Sequence, residues 1–500
     1  MAVAHQEVLV QEVQEDKNTK RIHYINYKQR KNTITMKKIL LLAVSIFMTG
    51  SMSAQTMTDA LRLSQYGLNG TSNYISRAGA IGALGGDLTA ASYNPAGLGI
   101  YTSSEFSLSS GLNWSFTDAN ANGFITSDNR ANFNFGHIGA LFFFKPSKGD
   151  IKGFQFTFGL NRLKSYGNRT MFQRDGLDDS FISQIIAEGM SDAYMYDFFY
   201  SEVVDTVNNN YTSVFQSTGK KNQIRSFTES GSMNEMVFSL SANVRNLLYL
   251  GATIGIPMAN YHSNGSFMEE LVDPTGVVTD RYIYNEEKDI TATGVNLKIG
   301  AIFRPVNWIR IGAAIHTPTY YTIEDNLFSE VIYTKRSGAD WDPITYDLQS
   351  PFRFLGSLAF VLGDNKSKMA GTISADYEFA DYSDMKYRLK GDIKAENDIN
   401  NTIKNFYQPA NTVRIGGELK FGTIALRAGY CIMDNPYDKG INDAGAQSIT
   451  AGIGYKNKNF FMDAAYAYTT GKSKFTEYDN NVVNLDHVNH LAQLSFGVRF

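Results

Sequence analysis

From about residue 103 onward the chain repeats one pattern. A segment of roughly ten residues alternates apolar and polar positions, a turn follows, and another such segment begins. Phe106, Leu108, Leu112, Trp114 and Phe116 share one face of the first segment. Phe154, Phe156, Phe158 and Leu160 line a cleaner face, with Gln155, Thr157, Gly159 and Asn161 between them. Later segments repeat the scheme: Met236, Phe238, Leu240, Ala242 and Val244, then Leu248, Leu250, Ala252, Ile254 and Ile256. Val413, Ile415, Leu419 and Phe421 alternate with Arg414, Gly416, Glu418 and Lys420. The last segment places Phe500, Val498, Phe496, Leu494 and Ala492 on one face, and Arg499, Gly497, Ser495 and Gln493 on the other. Charges confined to one face of an otherwise apolar strand are hard to bury in a soluble core. In a barrel that separates lipid from a polar lumen they point inward.

The connections alternate in length. Short turns fall near 146–149, 245–246, 305–307, 363–365, 421–422 and 456–457. Longer polar stretches fall near 117–131, 164–234, 262–289, 324–350, 389–410, 436–446 and 474–486, and read as loops. Short turns on one side and long loops on the other predict a transmembrane antiparallel β-barrel of about 14 strands, its turns periplasmic.

Composition agrees. Hydrophobic residues make up 43 % of the chain, yet the mean hydropathy is −0.25, so the long apolar runs of a helical membrane protein are lacking. Gly, Tyr and Phe are abundant (43, 29 and 33) and Pro is scarce (10), which suits many strands with tight turns and aromatic girdles. A net charge of −3 gives no electrostatic case for nucleic acid. The single cysteine, Cys431, allows neither an intramolecular disulfide nor a cysteine metal cluster.

The one long apolar run has the form of a signal peptide over 36–54: Met36-Lys37-Lys38 precedes an apolar stretch from Ile39 to Met48, and small residues follow at Ser51, Ser53 and Ala54. Residues 1–35 are polar and stand upstream of this signal, so they are expected to be a start-site artefact or a disordered extension. Residues 55–102 do not read as strand. Thr58 to Gln65 has helical spacing, and the stretch from Ser76 to Leu98 is rich in small residues, with too few bulky side chains for a core of its own. Such a segment is stable when enclosed, and a plug inside the barrel formed by 103–500 is expected.

Here the chain resembles the FadL-type outer-membrane transporters of long-chain fatty acids and aromatic hydrocarbons. The resemblance is carried by Gly85-Gly86, by Asn94-Pro95-Ala96 just before the first strand, by the strand count, and by the terminal Phe500. The second long loop, 164–234, is the longest here, whereas the prominent ligand-catching loops of that family are the third and fourth. The resemblance implies passive transport of a hydrophobic small molecule in the outer membrane of a Gram-negative bacterium. Release is expected sideways through the wall into outer-membrane lipid. It implies no cofactor and a monomer, inserted by the barrel assembly machinery through Phe500. Within the longest loop, Phe181, Ile182, Ile185, Ile186 and Met190 have helical spacing, with Met195, Phe198 and Phe199 following. They form either a landing site for cargo or the loop's own core. Gly159 is the candidate lateral gate. Catalysis has little support, because G-x-S-x-G, H-E-x-x-H and phosphate-binding glycine patterns are absent. His487 and His490 fall on opposite faces of a strand and make no metal pair. The alternatives are a receptor for haem or another hydrophobic ligand, and a general porin.

Overall fold

The computed structural model describes residues 51–187, 197–207, 210–340, 343–363, 369–478 and 481–500. The expected extension over 1–35 and most of the signal segment over 36–54 lie outside them. Fourteen antiparallel staves close a barrel. β1 (Glu105–Ala121) pairs with β2 (Phe124–Phe144) and, closing the ring, with the last strand β21 (Val482–Arg499). β3 (Ile151–Ser165) continues as β4 (Asn168–Leu177), and a small hairpin of β5 (Asp205–Val207) and β6 (Asn210–Thr212) lies in the connection that follows. Three long strands come next: β7 (Lys220–Val244), β8 (Leu248–Val272) and β9 (Val278–Val306). β10 (Ile309–His316) continues as β11 (Tyr320–Ile332), β12 (Arg336–Asp340) forms a side hairpin, and β13 (Ile344–Gln349) runs into β14 (Arg353–Leu362). β15 (Met369–Asp381) with the short β16 (Lys386–Arg388), β17 (Pro409–Phe421), β18 (Ile424–Met433), β19 (Ala446–Lys456) and β20 (Phe460–Thr476) complete the ring.

The alternation in sequence becomes an alternation in space. In β8, Leu250 and Ile254 are 44 % and 53 % exposed, while their alternating neighbours Tyr249 and Thr253 are buried in the lumen. An unbroken outer belt of exposed Leu, Ile, Val and Phe is favourable only against lipid. Turn chemistry matches at one end: Arg245 and Asn246 both take positive φ (56° and 54°), the geometry of a two-residue hairpin whose twist suits the flanking strands.

At the other end the expected loops are corrected. The stretches near 117–131 and 262–289 are paired strand for most of their length, β1 and β2 turning only at Asn122–Gly123. Above the belt the outward face mixes polar residues such as His262, Asn264 and Glu270 with Met268, while Phe267, Tyr282 and Tyr284 turn inward, so no uninterrupted apolar face betrays these strands. β7, β8 and β9 thus rise ~30–35 Å beyond the belt, at about 3.3 Å per residue and the usual tilt. The stretch 389–410 holds a helix, α4 (Ile393–Phe406), introduced by Asp392, whose carboxylate accepts from Ala395 N.

The lumen is filled by the segment before β1. It consists of α1 (Ser51–Ser64), α2 (Ser72–Ile75) and two 3₁₀ turns, Leu88–Ser92 and Pro95–Ile100, and almost all of its side chains from Met57 on are buried. Met57, Leu61 and Leu63 pack among lumen tyrosines such as Tyr166, Tyr261, Tyr321 and Tyr407. Deeper in, Tyr74 stacks on Tyr93 at 4.8 Å. A barrel of this size would otherwise enclose a channel, and here it encloses a plug.

Candidate functional site

The plug is fastened at the motif that marks it in the sequence. Asn94 accepts a hydrogen bond from Ala96 N (3.2 Å) and donates one to Gly82 O (2.7 Å), so one amide caps a turn and ties it to the preceding segment. Gly85 and Gly86 take φ of +58° and +72°, and Gly86 N donates to Gly97 O at 2.9 Å. A Cβ on Gly85 would lie 2.6 Å from Gly97 Cα, so the two turns meet backbone to backbone. The wall is carved to match: side chains at Gly251 and Gly300 would overlap Pro95 and Asn94, and Ala96 packs against Tyr249 and Ile302. The sequence reading passed over these wall glycines. Their signal was glycine at lumen-face positions of otherwise regular strands.

Buried charges complete the fastening. Arg77 of the plug reaches Glu418 (2.5 Å), which Arg427 also reaches (2.7 Å), and Arg427 pairs with Asp463 (2.5 Å). Glu378 takes Arg414 at 2.8 Å and Arg353 on its other oxygen, and Arg353 also donates to Ser64 O. Arg310 donates to Leu84 O at 2.6 Å. Chained pairs of this kind leave few charges uncompensated, which is the condition under which buried ions are tolerated.

Above the plug, toward the long-loop end, lies a cavity of about 580 Å³. α1 forms its floor with Asp59 and Arg62, and Tyr166, Tyr261, Phe227 and Phe475 contribute aromatic wall. The lining mixes rings with paired charge: Lys288 bonds Asp59 (2.6 Å), and the Arg62 guanidinium lies 3.7 Å over the Tyr261 ring.

Beside this cavity the wall is interrupted. β2 and β3 are paired from Phe144↔Phe154 to His137↔Asn161, and above that rung no ladder joins β2 to β3 or β4 among the described residues. Gly136 is the extra residue of a bulge at this point. The chain bends after Ser165, and β4 leans inward until Ser115 and Thr117 of β1 reach it, bonding Gly167 O (2.7 Å) and Asn168 Oδ1 (2.9 Å). Among the described residues the seam is spanned by contacts that each use at least one side chain: Ser165 to Asn134 (3.0 Å), Arg169 to Asp128 (3.1 Å) and Thr126 to the main-chain Met171 O (2.5 Å). Ser165 and Gly167 also line the cavity. Gly159 lies two rungs below the seam, opposite Gly139, and the ladder runs unbroken through it.

The long second loop folds back over the extended strands as a hood. Phe181 and Ile182, at the start of α3 (Phe181–Ala187), and Phe198 are buried with Phe267 and Tyr282, while Ile185 and Ile186 are partly covered. These five therefore belong to the hood's own core. Phe199 and its neighbour Tyr200 face out, 39 % and 56 % exposed. Met190 and Met195 lie outside the described residues. Each histidine downstream of residue 55 is hydrogen-bonded: His137 to Ser107 and Asn161, His316 to Tyr93 O, His262 to Asp289, His487 to Thr117 and Ser473, and His490 to Tyr466. His262, Glu287 and Asp289 place one ligand atom each within 4.8 Å of one another on the outer surface, with nothing further pointing to an ion.

Neither a protein-family model nor a curated protein matches the chain. Solved structures do. The P. putida toluene transporter TodX is similar at 13 % identity and a TM-score of 0.52, over 88 % of this chain and 99 % of that one. A Pseudomonas aeruginosa FadL homologue is similar at 14 % identity and a TM-score of 0.52, over 87 % of this chain and the whole of that one. The fold is that of the FadL-type barrels. At such identities the likeness establishes architecture.

Proposed function

We propose that this barrel carries hydrophobic small molecules passively across the outer membrane of a Gram-negative bacterium, into the cavity above the plug and out through the seam beside β2. The observation that carries this reading is the meeting of cavity and seam: the plug blocks the straight path, and the interrupted ladder offers a sideways one. Phe199 and Tyr200, exposed on the hood, are the first contacts for cargo, and the buried Phe181, Ile182 and Phe198 hold them in place. An acyl chain gains about 0.8 kcal/mol for each CH₂ it takes out of water, so a greasy first contact and an aromatic cavity draw cargo inward. The facing pair Gly139 and Gly159 serves as the hinge below the seam, since neither residue carries a side chain that resists bending there. Gly85, Gly86, Asn94, Pro95 and Ala96 keep the plug seated while cargo passes above it. The barrel works as a monomer, and Phe500 at the end of β21 is the assembly signal.

The reading is tested by uptake of radiolabelled long-chain fatty acid and of toluene in cells with and without this gene. Loss of uptake on deletion, restored by the wild-type chain, supports it. Unchanged uptake of both, together with a large steady conductance in planar bilayers, would replace it with a polar pore.

A further inference from the structure

The short-turn end of the barrel is strongly cationic. The β2–β3 turn carries Lys145, Lys148 and Lys152, all exposed. Arg245 stands on the β7–β8 turn, and Arg304 lies near the end of β9. Lys420 precedes the β17–β18 turn, Lys456 and Lys458 stand at the β19–β20 turn, and Arg499 ends β21. Among the described residues the balancing groups are few. Asp150 pairs with Arg245 at 2.7 Å, Glu105 is buried and pairs with Arg499 at 2.7 Å, and Phe500 adds its carboxylate. Lys145, Lys148 and Lys458 form no ion pair with a described residue. The opposite end has the reverse balance: residues 262–289 hold seven Asp and Glu against Arg281 and Lys288. In a chain of net charge −3 the positive excess therefore belongs to the short-turn end alone.

These cations sit at one depth. All but Lys148 and Lys458 lie within two residues of an exposed apolar side chain at the edge of the lipid-facing belt, such as Phe144, Phe154, Phe303, Tyr455 and Phe500. At the same edge Trp308 and Phe360, both exposed, stack with ring centroids 6.2 Å apart. Aromatic rings at a barrel's edge mark the membrane–water interface, and the stems of Lys and Arg lie along apolar surface while their heads reach the polar layer. Lys152 shares the outward face of Phe154, and Lys148, Arg245 and Lys458 stand on turns, where they reach the membrane surface. Cations on the alternate face, such as Lys420 and Arg499, ring the mouth of the lumen and add to the same positive field. The charge also runs round the whole circumference, from the β2–β3 turn to the end of β21, which closes on β1. A docked protein would need a patch on one side. A ring at one depth fits lipid headgroups, which surround the barrel.

We propose that the short-turn rim gathers anionic phospholipids, of the phosphatidylglycerol class, from the leaflet that faces the periplasm, with Lys148, Lys152 and Lys458 as the phosphate contacts. Attraction of this kind falls off within about 8 Å at physiological salt, so it acts on the first shell of lipid around the barrel. The inference goes beyond the transport reading. It rests on the barrel's place in the outer membrane and not on what the barrel carries.

The experiment is electron paramagnetic resonance of the full chain in phosphatidylcholine vesicles that carry a trace of spin-labelled phosphatidylglycerol or spin-labelled phosphatidylcholine. The motionally restricted fraction of each label measures the lipid held at the barrel. Phosphatidylglycerol is expected to associate about threefold or more strongly than phosphatidylcholine at low salt, and about equally in ~1 M salt, where screening acts over roughly 3 Å. The variant K148Q/K152Q/K458Q, which leaves the strand ladders intact, is expected to lose most of the preference. K220Q/K335Q/K390Q removes the same charge from the long-loop end and is expected to keep it. The proposal is overturned if the wild type shows no preference at low salt, or if the two variants lose it equally. Protection of Lys148 and Lys458 from acetylation by polyglutamate, and not by phosphatidylglycerol, also overturns it and assigns the rim to an acidic protein. None of these readouts involves cargo, so the rim and the transport reading fail separately.

Discussion

Replacing Asn94 by alanine should loosen the plug without unfolding the barrel. The substitution removes the acceptor of Ala96 N and the donor to Gly82 O, both in a fully buried place. Each orphaned backbone group costs about 1–2 kcal/mol, so the plug loses ~2–4 kcal/mol of local stability. The contact of Asn94 with Ala301 O, at 3.4 Å, is long and adds little. The barrel ladders are untouched, because no strand of the wall uses these groups. Amide hydrogen exchange in detergent reads the difference directly. The amides of Gly86 and Gly97, which bond to Gly97 O and Asn94 O, should exchange about 30- to 1,000-fold faster. The amides of Phe238 and Ile254 in the wall should keep their wild-type rates. The reasoning is refuted if wall and plug amides accelerate together, which would make plug and barrel one cooperative unit. It is equally refuted if Gly86 and Gly97 do not change.

Three further outcomes follow from the same structure. Leu240, 66 % exposed near the middle of the lipid-facing belt, should cost ~2–4 kcal/mol when changed to arginine, measured as the urea midpoint of folding into lipid vesicles. Phe198→Ala should cost the hood ~3–5 kcal/mol and open 178–219 to protease, while Tyr200→Ala should leave the hood intact and lower cargo uptake. The hood should also be more protease-resistant at pH 5 than at pH 7. Burial of Asp197 pushes its carboxyl up to about 6, Glu330 adding to the shift while the Ser329 hydroxyl opposes it, and its Oδ1 has no hydrogen-bond partner. The folded hood therefore holds this proton more tightly than the open one. Its stability is greatest below the ordinary carboxylate range and falls as pH rises toward 6, by about 1 kcal/mol between pH 5 and pH 7. Asp197→Asn should reduce the difference, leaving the part that Glu269 and Glu477, also pushed up by burial, contribute.

The barrel was legible because lipid leaves a strong mark: nearly every second residue of the belt is apolar, as Phe154, Phe156 and Phe158 show, with few exceptions such as Ser110. The plug was legible for a complementary reason, since a stretch with small residues from Ser76 to Gly99 must find its apolar surroundings elsewhere. Water leaves no such mark. Above the belt, strand pairs such as Thr117↔Asp128 and Ser263↔Lys288 are polar and break the apolar stripe, so these stretches read as loop. The seam was hidden as well, because it is a property of pairing: Gly136, Ser165 and Gly167 are ordinary residues until the ladder between β2 and β3 stops at His137. The apolar cluster of the second loop was visible, but periodicity alone does not say whether Phe181 and Phe198 face a ligand or each other. Packing against Phe267 and Tyr282, some seventy or more residues on in the chain, decided that.

Cargo is expected to leave through the seam. Cysteines in place of Asn132 and Gly167, whose side-chain positions touch across it, would close it with a disulfide in a chain whose own Cys431 is buried. Uptake of labelled long-chain fatty acid should fall to the level of cells lacking the gene when the pair is oxidised, and return on reduction. Equal uptake in the oxidised and reduced states, with the crosslink verified, would contradict the sideways route.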